Sequence, residues 1–212
     1  AERMHVFFDF IGENTIQVVE LYVIDNPGNN TIVPLSNTQP IIQYHLPAGA
    51  KNLQFEQGTF GTRFVETPDG FGDLQPIEAN SSSQFLFAYE LPFQKELALT
   101  FRLPMPVQAA VFMLPVNSVE IKSDQLMFDG NRSVQGMDIL TYSASDLTNQ
   151  DAVKLTLSGK IKITNASTEN TNLSLVIGSV VFAGAVGITV LWINNKWKRM
   201  AVAVSLKESV DL

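Results

Sequence analysis

His5 and His45 are the chain's two imidazoles and carry the first question of chemistry. Each lies in a strand-like run with no cluster of further nitrogen, sulfur or carboxylate ligands at metal-binding spacing, so both read as structural or surface groups and not as a zinc site. Asp69-Gly70-Phe71-Gly72-Asp73 and Asp129-Gly130-Asn131 offer oxygen ligands to calcium, but neither has the regularly alternating acids of a calcium loop, and Asp-Gly is chiefly turn chemistry. Ser81-Ser82-Ser83 has no neighbouring His and no strand–turn–helix context, which makes it a loop before a strand and not a nucleophile elbow. Gly58, Gly61, Gly70 and Gly72 sit among strand signals instead of opening a helix, so a phosphate would find no helix N-terminus there. Carboxylates are plentiful, yet no two are marked as an acid and base pair. The chain has no Cys, which excludes disulfides, thiolate catalysis, iron–sulfur clusters and covalent c-type haem attachment. The expectation is a non-enzyme with no catalytic residue, metal or cofactor.

What remains is architecture, and it is organised by an apolar stretch near the C-terminus. Residues 173–193, from Leu173 to Ile193, contain no charged residue. Such a helix rises roughly 30 Å, about the hydrocarbon thickness of a bilayer. Lys196, Lys198 and Arg199 follow at once, whereas the nearest preceding bases, Lys160 and Lys162, lie inside an expected strand. The positive-inside bias therefore places residues 194–212 in the cytoplasm and the N-terminal part outside. Trp192 and Trp197 bracket the exit at headgroup level, so these indoles and the three bases are the expected interface anchors. Ser179, Ala183 and Gly187 recur every fourth position and offer a neighbouring helix a close approach. The span has no ionisable side chain, hence no proton relay and no imidazole for haem or chlorophyll.

Charge divides along the chain. Residues 1–172 sum to −9 and residues 173–212 to +2, within an overall −7. An acidic outer domain repels phosphate backbones, so the expected partners are proteins and the lipid bilayer, not nucleic acid. The lack of disulfides outside the cytoplasm leans towards a bacterial periplasm, in the inner membrane. A chain that begins at Ala1 and needs export is expected to have lost a leader segment. Asn29, Asn80, Asn131, Asn165 and Asn172 each begin an Asn-X-Ser/Thr sequon, which in a eukaryotic secretory pathway would mark glycosylated loops.

The outer domain is nearly all strand signal with a period of two. Met4–Phe10 and Thr15–Ile24 are rich in Val, Ile, Phe and Tyr, with turn residues between and after them. Ile42, Tyr44 and Leu46 alternate with polar neighbours, as do Leu53 and Phe55. Phe85, Phe87, Tyr89 and Leu91, then Leu97, Leu99, Phe101 and Leu103, predict an antiparallel hairpin turning across Pro92–Lys95. Val107–Leu114, Ser118–Ile121, Gln125–Phe128, Ile139–Tyr142 and Val153–Leu157 complete about ten strands at the spacing of a sandwich. No helical stripe precedes residue 173, so two packed antiparallel sheets are expected. The predicted layout is an extracytoplasmic, immunoglobulin-like β-sandwich over residues 1–164, a polar tether over 165–172, a transmembrane helix over 173–193 and a cytoplasmic tail over 194–212. Two smaller sandwiches meeting near Pro104 to Pro115 are the alternative division.

The succession of Asp25-Asn26-Pro27-Gly28-Asn29, Leu46-Pro47-Ala48-Gly49-Ala50-Lys51-Asn52-Leu53-Gln54-Phe55 and Tyr89-Glu90-Leu91-Pro92 resembles a poorly characterised bacterial extracytoplasmic module. The resemblance spans most of residues 4–193. It implies a β domain ending in one membrane span, often preceded by a signal peptide and a small carboxypeptidase-regulatory-like domain, which this chain does not include, and it transfers no catalytic residue. Some phototrophic reaction-centre complexes also carry an extra single-span subunit with a β-rich periplasmic domain and no pigment, and this chain is similar in layout. The expected function is therefore that of a pigment-free accessory subunit of an energy-transducing membrane complex, photosynthetic ahead of respiratory. It would dock neighbouring subunits through its span and its acidic domain. A free-standing surface adhesion or carbohydrate-binding module is the alternative; for that, exposed aromatic platforms would be expected, whereas both Trp residues lie at the membrane end.

Overall fold

Strand β1 (Arg3–Gly12) and strand β2 (Thr15–Asn26) form the hairpin on which the other strands assemble. Their β-branched and aromatic residues suit a pleated surface, and Ile11 is the extra residue of a register shift just before Gly12 and the Glu13-Asn14 turn. The computed structural model describes residues 1–116, 119–134 and 137–161. The remaining strands are β3 (Ile42–His45), β4 (Lys51–Phe55), β5 (Phe64–Thr67), β6 (Gly70–Asp73), β7 (Ser81–Pro92), β8 (Glu96–Arg102), β9 (Val107–Pro115), β10 (Val119–Lys122), β11 (Met127–Val134), β12 (Met137–Leu147) and β13 (Ala152–Gly159). Among the described residues the chain is mainly β, with no helix long and apolar enough to cross a membrane. The segment expected to do so, residues 173–193, lies outside them.

A seven-stranded sheet runs β11-β12-β9-β1-β2-β7-β4, beside three-stranded sheets β10-β13-β8 and β3-β6-β5. All three contribute to one hydrophobic core. Met4, Val6 and Phe8 of β1, Phe85 and Phe87 of β7 and Phe112 of β9 meet Phe101 of β8, Leu155 of β13 and Tyr44 and Phe71 of the smaller β3-β6-β5 sheet there. Alternate residues supply that face, as the period of two requires. The opposite face of the large sheet is buried as well. Cross-strand partners His5 and Leu21, Phe7 and Val19, Val19 and Ala88, and Phe7 and Met113 lie on it, and each is less than 9% exposed. These central strands are near-continuous apolar runs because both faces leave water.

Several expectations are corrected. The described residues hold thirteen strands, not about ten, in three sheets, not two. Among the thirteen strands pairing is antiparallel except between β1 and β9, which run parallel from Arg3↔Ala109 to Phe7↔Met113. Strands β7 and β8 do not form a hairpin. Strand β7 pairs with β2 and β4, and β8 with β13, so the chain crosses between sheets. Phe93 makes the crossing possible: its ring is buried against Phe10 and its N–H donates to the Asn14 carbonyl at 2.9 Å. Both strands keep their apolar face on the shared core, which is why alternation alone suggested pairing. Asp129-Gly130-Asn131 is not a turn but part of β11, where Gly130, at a φ of 103°, sits at a register shift.

The β3-β6-β5 sheet depends on close backbone approach at Gly70, where a Cβ would collide with the Tyr44 carbonyl oxygen. Gly70→Ala is therefore expected to force β3 and β6 apart and cost about 2 kcal/mol, read as a lower thermal midpoint with the β spectrum retained.

Candidate functional site

Three polar arrangements stand out against this apolar frame. The first lies in the core. Glu20 points inward from β2, 2% exposed, and accepts hydrogen bonds from Tyr22 at 2.9 Å and Tyr89 at 2.8 Å, one on each carboxyl oxygen. Burial pushes its carboxyl up to about 7, and the two phenols oppose that shift only in part. Burial and the adjacent carboxylate push both tyrosines well above their ordinary range, so they stay neutral donors. Tyr44 meets Tyr22 edge to face with ring centroids 5.2 Å apart, and its buried hydroxyl has no hydrogen-bond partner among the described residues. The group binds a proton near neutrality. Because the carboxyl is buried, that proton is coupled to folding stability.

The second arrangement joins the β3-β6-β5 sheet to β8 at the surface. His45 Nδ1 lies 2.8 Å from Asp69, and Arg102 donates to the same carboxyl oxygen at 3.1 Å. The hydrogen bond with His45 holds the Asp69 carboxyl below its ordinary range. An imidazole oriented by a carboxylate is two parts of a nucleophile-activating relay. Among the described residues no hydroxyl hydrogen-bonds to the other ring nitrogen of His45, and the contacts present clasp the β3-β6-β5 sheet to β8 at the surface.

The third is an open groove of about 850 Å³ at the end of the domain where β13 finishes, lined by Glu13, Asn14, Gln94, Lys95, Glu96, Lys160 and Ile161. The Gly159 N–H donates to the Lys95 carbonyl at 2.9 Å and ties that end to the β7–β8 crossing. Two acids and two bases balance its charge, and its mouth is wide. It suits a polar protein or lipid headgroup surface better than an enclosed small molecule.

The residues singled out from sequence fall as follows. His5 is buried on the far face of the large sheet with an unpartnered Nδ1, and burial together with Arg3 lowers it to about 4, so it is a neutral core group. His45 is at the surface in the clasp with Asp69. Asp73 does not share a loop with Asp69, because Gly70–Asp73 is strand β6, and it pairs with Arg63 instead. Ser81–Ser83 open β7 and are not the loop before it. The helix-packing residues Ser179, Ala183 and Gly187 and the interface anchors Trp192, Lys196, Trp197, Lys198 and Arg199 all lie outside the described residues. The sequence reading missed Glu20, Arg63 and the ion-pair role of Asp73, which it weighed only as a turn residue and candidate calcium ligand. A lone Glu within the apolar run Val18–Ile24 was the available signal for the first, and Thr67-Pro68-Asp69-Gly70, a turn sequence that joins β5 to β6, for the other two.

No protein family and no curated protein matches the chain. Among solved structures it is similar to an M1 zinc metallopeptidase from Deinococcus radiodurans, seen in one crystal structure by itself and in another as a mutant bound to a Tyr-Ser-Ala substrate. Both align at 13% identity with a TM-score of 0.39 over 74% of this chain. The chain spans about two-fifths of the length of those proteins, 41% and 40%. Likeness at that level assigns neither a family nor an activity.

Proposed function

We propose that the chain is a membrane-anchored, non-catalytic docking subunit of a bacterial energy-transducing complex, a photosynthetic reaction centre with its light-harvesting partners ahead of a respiratory assembly. Its β domain, read as an immunoglobulin-like sandwich, stands on the periplasmic side of the inner membrane; residues 173–193 span the bilayer, and residues 194–212 are cytoplasmic. One observation carries this reading: an uncharged 21-residue run with a basic exit begins only a short tether after strand β13 ends at Gly159. Residues 160–172, even fully extended, reach about 45 Å, so the domain works close to the membrane. The large sheet facing two smaller ones across one core supports a rigid sandwich. Its surface offers apolar side chains to partners, among them Val33 at 59% and Leu35 at 88% exposure. The acidic character of residues 1–172 favours basic partners on the same side, such as soluble electron carriers.

Two measurements test this together. Protease added to intact spheroplasts is expected to remove the β domain and spare a tag placed after Leu212. Gentle detergent extraction, followed by sizing and mass spectrometry, is expected to find the chain in a chromophore-bearing fraction whose spectrum is unchanged, but whose stability falls, when the gene is deleted. A chain that travels alone would point to the adhesion module, and absence from every chromophore-bearing fraction would sink the proposal.

A further inference from the structure

The two edges of the large sheet differ. At one edge β4 is short and pairs with β7 only at Lys51, Gln54 and Phe55, and so little regular strand blunts an edge. At the other edge, β11 has one bulge, at Asp129, but pairs with β12 at its seven other residues and leaves its outer N–H and C=O groups without a strand among the described residues. Exposed apolar side chains flank that free edge. Met127 is 66% and Phe128 55% exposed at one end, and Met137 is 40% exposed beside Val134 at the other.

We infer that β11 is a homodimerisation edge that pairs antiparallel with β11 of a second copy. The strand runs Met127-Phe128-Asp129-Gly130-Asn131-Arg132-Ser133-Val134. A two-fold axis through facing Asn131 residues sets Gly130, with the bulged Asp129 beside it, opposite Arg132 of the second copy, and the reverse, so two Asp129–Arg132 ion pairs form at once. The same register sets Met127 opposite Val134 and Phe128 opposite Ser133. It overlaps the two strands along their whole length with only the bulged residue outside the ladder, so charge complementarity and strand pairing select one alignment. Within one copy Asp129 and Arg132 make no ion pair with any described residue. The register shift between Phe128 and Gly130 makes Asp129 the extra residue opposite β12, which brings it to the side of Gly130 and Arg132 despite the odd spacing. The opposite charges can therefore meet across the axis.

The test is the oligomeric state of the full 212-residue chain in detergent micelles, measured by light scattering or sedimentation over a range of concentrations, with thermal melting as the folding control. The unaltered chain is expected to dimerise. Arg132→Asp places four acids at the axis and is expected to weaken the dimer by about tenfold or more. The exchanged pair, Asp129→Arg with Arg132→Asp, restores complementarity and dimerisation. An equimolar mixture of the Arg132→Asp and Asp129→Arg single variants is expected to form heterodimers that neither forms alone. A monomeric parent chain would overturn the inference. So would a dimer indifferent to Arg132→Asp, which would be held by another surface such as the apolar segment, or a failure of the exchanged pair to restore dimers. Because the chain has no Cys of its own, cross-linking gives a second readout if a charge variant misfolds. Phe128→Cys mixed with Ser133→Cys is expected to form a disulfide-linked dimer, and Phe128→Cys alone much less; equal yields would also overturn the register.

Discussion

Glu20→Gln is expected to stabilise the β domain by about 3 kcal/mol at pH 8 relative to its effect at pH 4. Burial raises the Glu20 carboxyl from an ordinary value of 4.5 to about 7. The folded protein therefore holds a proton that the unfolded chain releases. The resulting stabilisation is fully present below pH 4.5, declines as pH rises and is lost once pH passes 7. Gln mimics the protonated acid, with an oxygen to accept from one phenol and an amide to donate to the other, and it has no charge to bury. The variant should track the parent in denaturant melts at low pH and separate from it steadily between about pH 5 and 8. Parallel profiles for the two proteins would show that the carboxyl is ionised and solvated in the fold.

His5 slopes the other way. Burial and Arg3 lower it to about 4 from 6.5, so the folded protein excludes a proton that the unfolded chain takes up, and stability falls as pH drops from 6.5 through 4. Glu20 and His5 together place the parent's stability maximum between about pH 5 and 6, with Asp9, raised by burial, acting in the same sense as Glu20. Removing Glu20 should move that maximum towards neutral pH. The shift of the optimum is thus a second reading of the same variant, independent of the absolute stability at any one pH.

Period-two alternation made most of the strands legible in the sequence, because each needed one apolar face for the shared core. It was silent wherever a strand met two environments. Phe7, Val19 and Leu21 fall between the core-facing positions, so alternation alone assigns them to solvent, although they are buried. Alternation also says nothing about which sheet a strand joins: β7 and β8 both match the core and yet belong to different sheets. The parallel β1–β9 pair joins residues more than a hundred positions apart, which no local pattern encodes. Short strands escaped for another reason. Strands β5 and β6 have four residues each, too few for a period to emerge, and Gly70 and Gly72 lower their strand propensity while serving the close packing against Tyr44 and Pro40. The polar sites were the least legible, because Glu20 with Tyr89, and Arg63 with Asp73, become neighbours only through the sheet pairings.

The buried ion pair between Arg63 and Asp73 gives the second large effect. Asp73 is 4% exposed; it accepts Arg63 Nε at 2.9 Å and Nη2 at 2.6 Å, and its Oδ1 also accepts the Gln75 N–H at 2.9 Å. The guanidinium lies over the Phe64 ring at 5.0 Å and the Phe85 ring at 4.8 Å, so it links β5 and β6 to β7 of the large sheet. Asp73→Ala removes the counter-charge but leaves a mostly buried cation among aromatic rings, where it recovers only part of its hydration. The expected cost is about 3 kcal/mol or more, because an unpaired buried charge is worse than no charge at all. That asymmetry supplies the control. Arg63→Met combined with Asp73→Leu deletes both charges, keeps apolar volume against Phe64 and Phe85, and is expected to recover most of the loss; what remains would reflect the Gln75 N–H left without its acceptor. Hydrogen exchange locates the damage. In Asp73→Ala, residues 41–75 should exchange much faster while β1, β2 and β9 keep their protection, since the small sheet is bound to the core through this pair and the rings beside it. A single variant that melts like the parent, or a double variant as unstable as the single, would show that the ion pair decorates this sheet and does not hold it.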